Sequence, residues 1–254
     1  MPLCAAAHEF WVDPVEYQID PGDTLTANIR VGDDMKGAPL TYIPNRVRRF
    51  EMATPSGLVE VEPRIGDRPV AVGKLKEQGL HTLIYATADS TIRYVEDGKF
   101  TKFLKGKGLD AGVKEHSARG LPDVGFSERY SRYTKALVAV GQGQGQDRER
   151  GLLTEITALA NPYTDDLRGG LPVRVTYLGK PRANAQIEIF SRGRGNKVFM
   201  SKIQTDAQGV ATIPITRGRK YMLDAVVLKA LDPEDNDGAV WETFWANLTF
   251  AVPE

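Results

Sequence analysis

Between Thr24 and Val31 the chain alternates without a break. Leu25, Ala27, Ile29 and Val31 point one way; Thr24, Thr26, Asn28 and Arg30 point the other. A period of two suits a strand with one buried and one wet face, and it does not suit a helix. Pro21-Gly22-Asp23 ahead of it supplies a turn. Similar short pieces follow near 48–53, 58–63, 69–72 and 80–86, and again at 152–159, 173–177, 185–190, 210–215, 220–228 and 240–252. Short strands punctuated by Gly, Pro and Asp predict antiparallel sandwiches. The expected class is mostly β, with two β-sandwich domains of immunoglobulin-like or prealbumin-like type.

The period changes between 97 and 140. Segments 99–107 and 110–119 have helical composition, and Tyr130, Tyr133, Leu137 and Val140 are spaced as one helical stripe. The first domain is therefore expected to carry a helical insertion over about 97–140, packed on its sheet. Gly141-Gln142-Gly143-Gln144-Gly145-Gln146 follows. Alternate glycines raise the backbone entropy that folding must overcome, so this run is read as the boundary or a long loop. The expected division is 8–146 and 147–254, both ordinary domain sizes.

Charge and rare residues narrow the function. The 254 residues hold 33 basic and 33 acidic side chains, for a net charge of zero. Nucleic-acid binders and polybasic membrane-surface proteins carry a basic surplus, so neither is expected. One cysteine and three histidines exclude cysteine-rich zinc sites, iron–sulfur clusters and disulfide frameworks. No apolar run approaches the roughly 20 residues of a membrane helix. Ala5-Ala6-Ala7 has the small-x-small form of a signal-peptidase site. Residues 1–7 then read as a signal-peptide remnant, His8 as the first mature residue, and Cys4 as lost with the leader.

Gly179-Lys180-Pro181, Ala185-Gln186-Ile187-Glu188-Ile189, Thr205-Asp206-Ala207-Gln208-Gly209 and Gly218-Arg219-Lys220-Tyr221 follow the order of the prealbumin-like or carboxypeptidase-regulatory-like sandwich, which the second half resembles. Other landmarks are His8-Glu9-Phe10-Trp11, Gly79-Leu80-His81, Glu128-Arg129-Tyr130-Ser131-Arg132-Tyr133, Ala158-Leu159-Ala160-Asn161-Pro162-Tyr163 and Trp241-Glu242-Thr243-Phe244-Trp245-Ala246. With these the whole chain resembles the NikM-like family of exported bacterial proteins, grouped with periplasmic components of nickel and cobalt uptake. The resemblance implies a periplasmic metal-binding accessory protein with a membrane metal transporter as partner.

A mature N-terminal His8 would offer an α-amine and an imidazole nitrogen from one residue. That chelate suits Cu(II) or Ni(II), and cobalt enters through the resemblance. His81 is the candidate second ligand; its place on the face of Leu83 and Tyr85 fits the commoner outcome, a core histidine bonded to backbone. His116, in Lys114-Glu115-His116-Ser117, reads as a solvated helix residue. Glu242 shares a strand face with Phe244 and Ala246, so it needs a basic partner or a polar site. Trp241 and Trp245 form a ligand platform or packing surface. Arg129 and Arg132 are either an anion or glycan surface or partners for acids. No nucleophile elbow, phosphate loop or HExxH motif is present, and no enzyme is expected. The rival to metal handling is a metal-independent module binding a protein or glycan through the tryptophan surface.

Overall fold

The alternating segment becomes strand Thr24–Asp33, with Leu25, Ala27 and Ile29 buried. It pairs antiparallel with Glu9–Pro14, Lys36–Leu40 and Val70–Lys74 to form a four-stranded N-terminal flanking sheet. This is a computed structural model, and it describes residues 8–234 and 236–254. The expected leader remnant, 1–7 with Cys4, lies outside the described residues.

A ten-stranded central sheet forms the middle of the molecule. Its main path runs Val198–Gln204, Gln186–Arg192, Arg219–Ala230, Ala239–Val252, Ser127–Val140, Gly79–Thr87, Val47–Thr54 and Gly57–Glu60. Short strands Gln18–Ile19 and Ser90–Arg93 also pair with Ser127–Val140. A second flanking sheet holds Thr154–Ala158, Leu171–Tyr177, Lys180–Pro181 and Val210–Ile213.

Register shows three layers. Leu223, Ala225, Ala246, Leu248 and Leu137, on one face of the central sheet, share a core with Ile156, Val173 and Ile213 of the C-terminal flanking sheet. On the opposite face, Ala136, Val138, Leu83 and Tyr85 share a core with Phe10, Leu25 and Ile29 of the N-terminal sheet. That opposite face also carries the helices, through Trp241, Trp245, Phe100, Phe103 and Leu104.

Ser127–Val140 is a strand, which corrects the helix expected there. Both of its faces are covered, so Ala136–Val140 is a continuous apolar run that conceals the strand period. Among the described residues α-helix is confined to Lys99–Gly106 and Asp110–Ala118. The first is built on Phe100, Phe103 and Leu104, one apolar stripe facing the sheet.

The central sheet runs across the Gly-Gln segment without interruption. Ser127–Val140 of the first half pairs in parallel with Ala239–Val252 of the second, from Glu128↔Trp241 to Ala136↔Thr249. The Gly-Gln segment is strapped down: Leu80 N donates to the Gln144 carbonyl (2.7 Å), and Asn161 Nδ2 donates to those of Gly143 (2.8 Å) and Gly145 (2.9 Å). Asp147 and Glu155 then accept from the fully buried Lys135 Nζ at 2.8 and 2.9 Å.

Candidate functional site

Pairing aligns a row of polar residues across four strands of the helix-bearing face. Glu188 lies opposite Asp224, Asp224 opposite Asn247, and Asn247 opposite Thr134. One register step along, Arg132 lies opposite Trp245. Glu188 and Asp224 interrupt apolar strands, and a carboxylate there is costly unless paired. Lys107 supplies the charge. It caps the first helix at its C-terminal end, and its Nζ donates to Glu188 (2.6 Å), Asp224 (3.0 Å) and Glu9 (3.1 Å). The same ammonium lies 4.6 Å from the Trp245 ring centroid. Gln186 Nε2 (2.7 Å) and Lys202 satisfy the helix-end carbonyl of Gly106.

Electrostatics follow from burial. Burial pushes the Glu9 carboxyl up to about 7 against the pull of Lys107. Asp224 is raised for the same reason. Burial works against the Lys107 charge, but Asp224, Glu9 and Glu188 outweigh it and hold the ammonium well above its ordinary value. Carboxylate oxygens of Glu9, Glu188 and Asp224 come within 4.8 Å of one another, the spacing of a cation site. Here the lysine ammonium is that cation.

Beside this cluster Glu128 is buried and accepts from Tyr94 Oη (2.7 Å) and from Thr243 Oγ1, which itself accepts from Trp245 Nε1 (3.1 Å). Burial lifts Glu128 to about 7, against the hydrogen bonds from Thr243 and Tyr94. Arg132 completes the zone. It is 7% exposed. Its guanidinium lies 4.5, 5.6 and 5.7 Å from the rings of Tyr130, Trp245 and Phe10, and Nη2 donates to the His8 carbonyl (3.3 Å).

The histidines do not converge. His8 Nε2 lies 3.1 Å from Asp33 Oδ2 at the start of the first strand. His81 is wholly buried, with Nδ1 3.1 Å from the Gly79 carbonyl, so Nδ1 carries the proton and Nε2 is bare. Burial depresses its pKa. His8 is tied to Arg132 and His81 is paired with Val138, six residues along the same strand, or roughly 20 Å at 3.3 Å per residue. They cannot share an ion, whose nitrogen ligands stand about 2 Å away.

His116 corrects the expectation of a solvated position. Its helix turns it onto the aromatic cluster, where Nδ1 accepts from Trp241 Nε1 (2.9 Å) and Nε2 donates to the Pro122 carbonyl (3.0 Å). Trp241 and Trp245 are 0% and 4% exposed, because the helices cover the face that would have made a platform. Glu242 does meet basic partners, Arg129 Nε at 2.6 Å and Lys229 Nζ at 3.4 Å. Arg129 is thereby occupied, and Arg132 alone of that pair faces the buried zone.

The sequence reading missed Glu9, Lys107, Glu128, Glu188 and Asp224. Two left a signal: Asp224 inside Tyr221-Met222-Leu223-Asp224-Ala225-Val226, and Glu188 between Ile187 and Ile189. Among the described residues no helix is long and apolar enough to cross a membrane.

Comparison with curated proteins found no match. Three solved structures are similar at low level. The D0-D1 domain of Intimin has 15% identity over 96% of this chain and 97% of that one, with a TM-score of 0.24. A tetra-tandem repeat from the extending region of a large adhesion protein has 11% identity over 96% of this chain and 49% of that one, with a TM-score of 0.24. Salmonella alpha-2-macroglobulin has 12% identity over 99% of this chain and 15% of that one, with a TM-score of 0.24. This chain thus spans about half of the adhesion-protein repeat structure, and such scores carry no functional argument. The family described as "Domain of unknown function (DUF4198)" matches residues 5–229, most of the chain, and the protein belongs to it.

Proposed function

We propose that the protein is an exported, periplasmic metal-handling module that takes up nickel, cobalt or copper at His8 and passes it to a membrane metal transporter. One observation carries the reading. Asp33 holds His8 Nε2 at 3.1 Å, which leaves Nδ1 free, and Nδ1 is the nitrogen that closes a chelate ring with an α-amine. A carboxylate on the second ring nitrogen is the usual way to orient a metal-binding imidazole. His81 has no part in this site, because its bare Nε2 lies deep in the core. The NikM-like resemblance supports the choice of metals and the partner. The role is binding, not catalysis.

The test is a titration of the chain beginning at His8 with Cu(II), Ni(II) and Co(II), followed by absorption and circular dichroism. Placing one residue ahead of His8 should weaken binding by at least about tenfold, a loss of ~1.4 kcal/mol. Asp33→Asn should weaken it less, and His81→Gln not at all. Equal affinity with and without the added residue overturns the reading.

A further inference from the structure

An open cleft of about 790 Å3 lies between the N-terminal flanking sheet and strands Gly79–Thr87 and Ser127–Val140 of the central sheet. Its volume falls within the range of small-molecule sites. Phe10, Ile29, Val31, Leu40 and Ile43 give it apolar walls. Among the described residues its charged lining is Arg46, Arg68 and Arg132 with His8 at the rim, and no carboxylate lines it. Among the described residues none of the three arginines makes a salt bridge. Arg46 and Arg68 are exposed and water solvates them. Arg132 is different. It is buried, and among the described residues its Nε has no hydrogen-bond partner and its guanidinium donates only to the His8 carbonyl. Glu128 and Asp224 act on it through space without touching it. Aromatic rings orient it, but no carboxylate contacts it among the described residues, and a buried charge without a direct partner is costly to folding.

We propose that this cleft binds a small organic anion with an apolar body, its acid group held by Arg132 with Arg46 and Arg68 and its body laid along Phe10, Ile29 and Leu40. Guanidinium forks match carboxylate and sulfonate oxygens two at a time, and the bond is strongest where water is excluded. The site is independent of metal at His8, since it needs neither the α-amine nor Nδ1.

Decanoate is the probe, with decanol as its uncharged counterpart, titrated by calorimetry at low salt in a metal chelator. Decanoate should saturate one site, and decanol should bind at least about tenfold more weakly. Arg46→Gln with Arg68→Gln, both exposed and outside the core, should weaken decanoate at least about tenfold, while Arg194→Gln at a distant turn should leave it unchanged. Arg132→Met should abolish saturation yet unfold at the same or a higher temperature than the parent, because it removes a buried charge that no carboxylate contacts among the described residues. If Arg132→Met does not fold, the exposed double variant decides. A residue placed ahead of His8 should leave decanoate binding intact, which separates this site from the metal reading. Equal affinity for decanoate and decanol, no saturable binding, or an unmoved affinity in the double variant overturns the proposal.

Discussion

Glu128 shows what a single buried acid does to this fold. Its oxygens receive hydroxyl hydrogens from Tyr94 and Thr243, and no ammonium or guanidinium touches it among the described residues. Burial therefore dominates and lifts it from 4.5 to about 7. A raised carboxyl means that the folded chain binds more protons than the unfolded one between these values. Stability from this group is then complete below pH 4.5 and is lost as pH rises through about 7. Glu9, also raised to about 7, adds to the same slope. His81 acts the other way: its pKa is depressed by burial, so its contribution falls as pH drops through its ordinary 6.5. The parent chain's pH profile mixes these terms, and a difference isolates one. Glu128→Gln keeps the shape and cannot ionise. Urea denaturation at pH 5, 6 and 7 should show the parent losing stability relative to Glu128→Gln by about 1 kcal/mol per pH unit. Parallel pH profiles would show that Glu128 is ionised throughout.

The elements differ in how far the sequence betrays them, and burial on one face or two is the cause. Thr24–Asp33 has one wet face, so its alternation is plain. Ser127–Val140 is covered on both faces over most of its length; its alternation disappears, and Tyr130, Tyr133, Leu137 and Val140 fall at helical spacing by coincidence. Glu188 and Asp224 were legible as acids in apolar runs, by the logic that singled out Glu242. Lys107 and Glu9 were not, because the contacts that give them meaning span separations of 98 and 117 residues. The Gly-Gln segment is a loop, one of the two readings its glycines allowed. Its glycines serve a fixed shape: Gly143 has φ +65°, and a Cβ there would lie 2.6 Å from Ala139 Cβ. Gly151 has φ +71° with nothing within 4 Å of its Cβ position. Gly143→Ala should therefore cost about 2 kcal/mol or more, combining left-handed strain with overpacking, whereas Gly151→Ala should cost only about 1. Chemical denaturation of the two variants compares them directly. Equal costs would mean that the segment gives way freely, as a linker would.

At the scale of the molecule, the halves complete each other's sheet. Strand Ala239–Val252 lies between Arg219–Ala230 of its own half and Ser127–Val140 of the other. The core under the C-terminal flanking sheet takes Leu80 and Leu137 from the first half. Charge is shared in the same way. Lys135 belongs to the first half and is 1% exposed, while its carboxylates, Asp147 and Glu155, belong to the second. Splitting the chain between 146 and 147 would leave Lys135 buried without a counter-charge, a loss of about 3–5 kcal/mol by itself. It would also turn Ala239–Val252, almost entirely buried, into a long apolar edge that invites aggregation. The loss from the lysine alone approaches the lower end of a domain's whole stability, about 5–15 kcal/mol. Residues 8–146 and 147–254, produced separately, should each give poorly dispersed amide spectra and no cooperative thermal transition. Produced together, they should assemble and recover the intact chain's spectrum. A cooperative transition in either half alone would show that the central sheet is two sheets set side by side, each with a core sufficient to itself.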